Sequence, residues 1–243
     1  MAVDAVKPKP ATVGLLPTAP TKKVKDLNSF SILLYGAPKV GKSTLASQFP
    51  HAVFLATEAG LNALEVYQVP VDSWDKFLDV MAEIAKGQHS FQTIVVDTVG
   101  NLFKFCSDFI CKKMGIKHES DLEWGKGYSL VRDEFLRVVT KLTLLPYGVV
   151  FIGHADTIEI KSLTGAITKS VPQLNKSARD ILIPIVDFLW FCSIEQTPNG
   201  YERVIHTKPT ENWDAGDRTG KMPSEIPMRY EALIQAFQEA IAE

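Results

Sequence analysis

The residues best placed to do chemistry form the run Gly36-Ala37-Pro38-Lys39-Val40-Gly41-Lys42-Ser43-Thr44. The pattern G-x-x-x-x-G-K-[ST] follows an apolar, strand-like stretch and precedes a helical one. That context separates a phosphate-binding loop from a plain glycine turn. Glycine lets the backbone wrap closely, so successive amide N–H groups can converge on one anion. A helix opening near Lys42 would add its positive end. Lys42 is expected to reach the β- and γ-phosphates of a nucleotide, and Ser43 to ligate Mg²⁺. Asp97 closes the run "TIVVD" and has the form of the carboxylate on the Mg²⁺ side of such loops.

Two further strand ends carry titratable groups. "AVFLATEAG" places Glu58 just past one apolar run, and "GVVFIGHAD" places His154 just past another. Ligands bind outside the carboxyl ends of strands in open parallel sheets, so both side chains are expected to face the phosphates. A carboxylate there can orient and deprotonate an attacking water. An imidazole can sense the terminal phosphate through a hydrogen bond.

These positions demand a sheet that brings several strand ends together. Residues 30–35, 52–56, 93–97, 148–153 and 187–193 are near-continuous apolar runs, as strands covered on both faces require. Between them, residues 42–49, 73–86 and 126–145 carry helical spacing. Such alternation predicts an α/β fold with a mostly parallel sheet and helices on both faces. Residues 201–208 alternate and follow the turn "TPNG", so they should pair antiparallel with the preceding strand and extend the sheet. Residues 223–242 read as a closing amphipathic helix.

The bulk properties narrow the class. The 243 residues carry a formal charge of −2, which gives no global attraction to nucleic acid. Three cysteines without CxxC or Cys/His spacing argue against a disulfide framework or a zinc site and fit a reducing cytoplasm. No apolar run approaches the roughly 20 residues of a membrane span, and no signal-peptide core opens the chain. Residues 1–26 hold four prolines, five lysines and two acids, and read as a flexible basic tail. Residues 27–243 read as one domain.

The combination of "GAPKVGKST", Glu58, "TIVVDT", His154 and the late "TKPTENWDAGDRTGKMPSEI" resembles the RecA-like P-loop ATPases. Within them it is most similar to phage-type proteins that act as single-strand annealing recombinases. The resemblance implies a RecA-like core that binds and hydrolyses ATP with Mg²⁺. It also implies head-to-tail assembly into a homo-oligomer, ring or filament, with ATP at the subunit interfaces. A cation from the neighbouring subunit then completes the site, and Lys208 and Arg218 are the two candidates. Single-stranded DNA and a single-strand-binding protein are the implied partners.

In RecA-like proteins the loops after the His154 strand hold single-stranded DNA. Here Lys161, Lys169, Lys176 and Arg179 face only Glu159 within residues 158–179. The stretch alternates around Thr164-Gly165 and should form a hairpin whose lysines track a phosphate backbone without reading sequence. The segment 112–128, with Trp124 and Tyr128 among lysines and acids, is a second candidate surface.

Two other functions share the same core. A P-loop kinase would need an arginine-rich lid, whereas the arginines here are scattered. A nucleotide-dependent loader or scaffold would tolerate loss of hydrolysis at Glu58.

Overall fold

The computed structural model describes residues 12–13, 16–162, 165–198 and 200–242. Much of the expected basic tail lies outside them. Thr12–Val13 pairs antiparallel with Leu16–Pro17, residues 16–26 are largely exposed, and Leu27 is buried.

The elements that build the sheet run in chain order. Strand β1 is Ser31–Gly36, helix α1 Lys42–Ala46, β2 Ala52–Ala56, β3 Tyr67–Pro70 and α2 Trp74–Lys86. Then come β4 Thr93–Asp97, α3 Val99–Met114, α4 Lys126–Leu144, β5 Gly148–Ser162, β6 Gly165–Pro172 and α5 Lys176–Ile185. The chain closes with β7 Phe188–Thr197, β8 Gly200–His206, β9 Gly216–Asp217, β10 Glu225–Pro227 and α6 Tyr230–Ile241.

The strands lie side by side as β10-β8-β7-β1-β5-β4-β2-β3. From β7 to β3 every neighbouring pair is parallel, and the β8 and β10 extension is antiparallel. This is the expected mostly parallel α/β sheet with an antiparallel margin. Alternate residues of each strand feed two cores. Leu33, Tyr35, Val53, Leu55, Ile94, Val96 and Phe151 join α2, α3, α4 and α5 on one face. Ile32, Leu34, Phe54, Val95, Ile152, Trp190 and Ile205 join α1 and α6 on the other. Burial on both faces is why these strands read as continuous apolar runs. All three cysteines are buried and free, and burial pushes the Cys192 thiol up to about 12.

Several elements differ from expectation. α1 spans five residues rather than eight, since Pro50 disfavours helical backbone at Phe49. β5 continues nine residues beyond Gly153 and pairs antiparallel with β6, so the expected hairpin is the tip of a central strand. Residues 163–164, half of its expected turn, lie outside the described residues. The closing helix begins at Tyr230, because Glu225–Pro227 is taken up as an edge strand against β8.

Candidate functional site

β1 delivers the chain into the glycine loop, and the two glycines serve different needs. Gly36 sits so close to β7 that a Cβ there would lie 2.3 Å from the Cys192 carbonyl oxygen. Gly41 has φ +109°, a backbone that side-chain-bearing residues rarely adopt. Lys39 also has positive φ, at 65°. Val40 is buried in the apolar cluster under α1, so its side chain anchors the loop. The first bond of α1 runs from the Leu45 amide to the Gly41 carbonyl, which leaves the Lys42 and Ser43 amides without intrahelical acceptors.

Lys42 is buried. Its ammonium donates to the Gly36 and Ala37 carbonyls, each at 2.9 Å. Burial pulls its pKa down, and the nearby Asp97 and Glu58 charges only partly offset this. Ser43 Oγ donates to Asp97 Oδ2 at 2.7 Å across α1 and β4. Burial raises the Asp97 carboxyl above its usual range, against the Ser43 hydrogen bond that lowers it.

Parallel pairing sets the remaining groups at the same edge. Ala56 pairs with Asp97 and Gly36 with His154, so the chain just past β2, β4 and β1 meets beside β5. Glu58 Oε1 lies 3.5 Å from His154 Nε2. Glu58 Oε2 accepts from Asn101 Nδ2 at 3.1 Å and from Thr98 Oγ1 at 3.3 Å. His154 Nδ1 is buried and, among the described residues, has no hydrogen-bond partner. A cavity of about 430 Å³ joins Pro38, Lys39 and Gly41–Thr44 to Glu58, Asp97 and His154.

The donor set fits a magnesium nucleotide. The Ser43 hydroxyl and Asp97 carboxylate are hard oxygen donors. Among the described residues no cluster of three or more His, Cys, Asp or Glu gathers that could hold a metal. An ion bound between Ser43 and Asp97 would therefore take its other ligands from phosphate and water.

Other expected site residues fall elsewhere. Lys208 donates to Asp217 Oδ2 at 2.6 Å and to the Gly220 carbonyl at 2.9 Å. Arg218 donates to the Pro184 carbonyl at 2.6 Å, at the last turn of α5, and lies 3.4 Å from Asp187 Oδ1. Neither lines the cavity of its own chain. Lys169 pairs with Asp214 at 2.6 Å, and Lys176 with Asp180 at 3.0 Å. Lys161 belongs to the outer part of β5, and Arg179 is half-buried on α5. The four basic residues are thus spread over two strands and a helix, and two of them already hold carboxylates.

Arg203, Asn101 and Thr98 were not expected at the site. Arg203 lines the cavity, and its Cδ would lie 3.5 Å from a Cβ on Gly41. The signal for it was the alternation of β8, once the register against β7 is known.

A family model described as an AAA domain matches residues 28–219, and the chain belongs to that family. The chain is 26% identical over 193 residues to the SPbeta prophage-derived uncharacterized protein YorG of Bacillus subtilis (strain 168). That match takes in 77% of this chain and 54% of the relative, so the chain spans about half the length of the curated protein it matches. Among solved structures it is similar to a KaiC-like protein of Pyrococcus horikoshii, at 13% identity and TM-score 0.47, covering 82% of this chain and 85% of that one. A similar match is the flagellar accessory protein FlaH of Methanocaldococcus jannaschii, at 12% identity and TM-score 0.43, covering 82% and 84%. Among the described residues no helix is long and apolar enough to cross a membrane.

Proposed function

We propose that the protein hydrolyses Mg-ATP and uses the cycle to act on single-stranded DNA, pairing or annealing strands in recombination. The observation that carries the hydrolytic half is the meeting of Lys42, Ser43, Asp97, Glu58 and His154 around one cavity. Among the described residues Lys42 is a buried cation without a countercharge in hydrogen-bond reach, and a phosphate would supply one. Mg²⁺ held at Ser43 and Asp97 would neutralise charge on the phosphates.

Glu58 orients the attacking water and takes its proton as the water oxygen bonds to the terminal phosphorus and the bond from that phosphorus to the leaving nucleoside diphosphate breaks. A carboxylate offers about four lone-pair sites, and Asn101 and Thr98 occupy two, leaving room for the water. His154 brings its Nε2 to 3.5 Å from Glu58 at the cavity, and this one nitrogen turns from the carboxylate to the terminal phosphate when the nucleotide is bound.

Support for the DNA half is the continuity of β5. One strand carries His154 at the cavity and then runs out to Ser162 in the hairpin with β6. Basic residues lie along that hairpin and on α5. The prophage origin of a relative and the resemblance to annealing recombinases agree with this reading. Assembly into a ring or filament with ATP between neighbours, recruitment of a single-strand-binding protein and a cytoplasmic location complete the proposal.

The test is the ATPase rate with and without single-stranded DNA, and DNA affinity across a salt series. Hydrolysis should rise with DNA, and affinity should fall steeply with salt. Hydrolysis indifferent to DNA, together with salt-independent binding, would remove the DNA half and leave the ATPase.

A further inference from the structure

The β7–β8 hairpin overshoots the end of β1. Gly36, the last residue of β1, pairs with Cys192, whereas β7 runs on to Thr197 and pairs there with Gly200 of β8. Strand alternation fixes which residues of this overhang share a face. Cys192 and Ile205, opposite one another, belong to the apolar cluster under α1. Two residues on, the opposed pair Ile194 and Arg203 shares that face, and Tyr201 lies beyond it on the same side. This is the face on which the glycine loop lies.

Among the described residues, three side chains of the overhang enter neither core. Tyr201 is 77% exposed and Ile194 54% exposed. Among the described residues, the Tyr201 ring meets no other aromatic ring and the Arg203 guanidinium forms no ion pair. Arg203 lines both the glycine-loop cavity and an adjoining one of about 570 Å³, walled by Ile194, Tyr201, Glu202, Pro227, Met228 and Arg229. The two cavities therefore meet at a single side chain.

The order of strands gives the second cavity a direction. Asp97, Glu58 and His154 belong with β4, β2 and β5, all on one flank of β1. The opposite flank is β7 and β8. A triphosphate lying across the glycine loop with its reacting end at Glu58 sends its other end over this overhang.

We propose that the face formed by Ile194, Tyr201 and Arg203 is the nucleoside subsite, where the base stacks on Tyr201 and Arg203 meets the first phosphate. The inference rests on the nucleotide-binding reading given under the proposed function. Tyrosine supplies a flat apolar face that any base can use. An unpaired arginine suits both a phosphate oxygen and the edge of a stacked base.

The test is calorimetry on the full chain with two ligands, Mg-ATP and Mg-tripolyphosphate, the latter having the phosphates without the nucleoside. Tyr201→Ala should weaken Mg-ATP roughly 10-fold, by loss of one stacking contact, and leave Mg-tripolyphosphate unchanged. Tyr201→Phe should bind both ligands as wild type does. Equal affinities of wild type and Tyr201→Ala for Mg-ATP would overturn the subsite while tripolyphosphate binding upholds the glycine loop. So would an equal loss for both ligands. Wild type that binds neither ligand would overturn the nucleotide reading, and the subsite with it.

Discussion

Lys42 and Lys208 are both lysines that hold backbone carbonyls, yet their surroundings oppose each other. Lys42 is 5% exposed, donates to two carbonyls and, among the described residues, has no carboxylate at bonding distance. Lys208 donates to one carbonyl and to Asp217, whose side chain is 0% exposed. A cation neutralised inside the fold has finished its work when the chain folds. A buried cation without a counterion costs free energy, and the fold bears this only where a ligand will later supply the anion. On the proposed function, the contrast separates a binding lysine from a structural one.

The sharpest break of that contrast is Lys42→Ala. It should abolish heat on titration with Mg-ATP and lower hydrolysis by roughly 100- to 1,000-fold, the scale for removal of one preorganised donor. Thermal melting without ligand should be unchanged or higher, because a strained charge has gone. A lower melting temperature would make Lys42 structural after all.

Glu58→Gln comes next. Hydrolysis measured by phosphate release should fall by about 100-fold or more while calorimetry still registers Mg-ATP, because the base is lost and the phosphate cradle is kept.

Lys208→Ala should act in the opposite sense. Stability in a urea titration should drop by roughly 2 kcal/mol, since the buried Asp217 carboxylate loses its cation. Mg-ATP affinity should hold. Arg218→Ala, whose side chain is more exposed, should cost about 1 kcal/mol or less. A loss of hydrolysis in either variant beyond the loss of folded protein would show a second task in a neighbour's site.

The smallest effect concerns pH. Burial raises the Asp97 carboxyl above its ordinary 3.8, so folding takes up a proton in the range just above that value. Unliganded stability should therefore fall as pH rises through this window. Asp97→Asn should flatten the slope and raise unliganded stability at neutral pH. The same substitution should weaken magnesium-dependent nucleotide binding. Melting curves at several pH values, with and without Mg-ATP, resolve the two signs.

Much of the site was legible because its positions coincide with strand ends. Strands β2 and β4 were readable to the residue from unbroken apolar runs, and a parallel sheet gathers the residues just past such runs on one edge. Glu58, Asp97 and His154 are therefore grouped by the sequence alone. The features that stayed hidden depend on register and partner choice. β3 is an edge strand with mostly exposed residues, so it lacks the apolar signature. Whether Lys169 is free or bound to Asp214 turns on where the loop around residue 214 packs, and no local pattern encodes that. Arg203 needed the pairing of β8 with β7. The full length of β5 was obscured because its outer half alternates, whereas its inner half is buried on both faces.

The collision that any side chain at Gly36 would have with β7 has a consequence for reading descendants of this chain. That glycine is demanded by the spacing of two neighbouring backbones, whether or not a nucleotide is ever met. A lineage that abandoned catalysis would have to keep it, while being free to lose Lys42. The motif's first letter thus testifies to architecture, and only its later letters to chemistry.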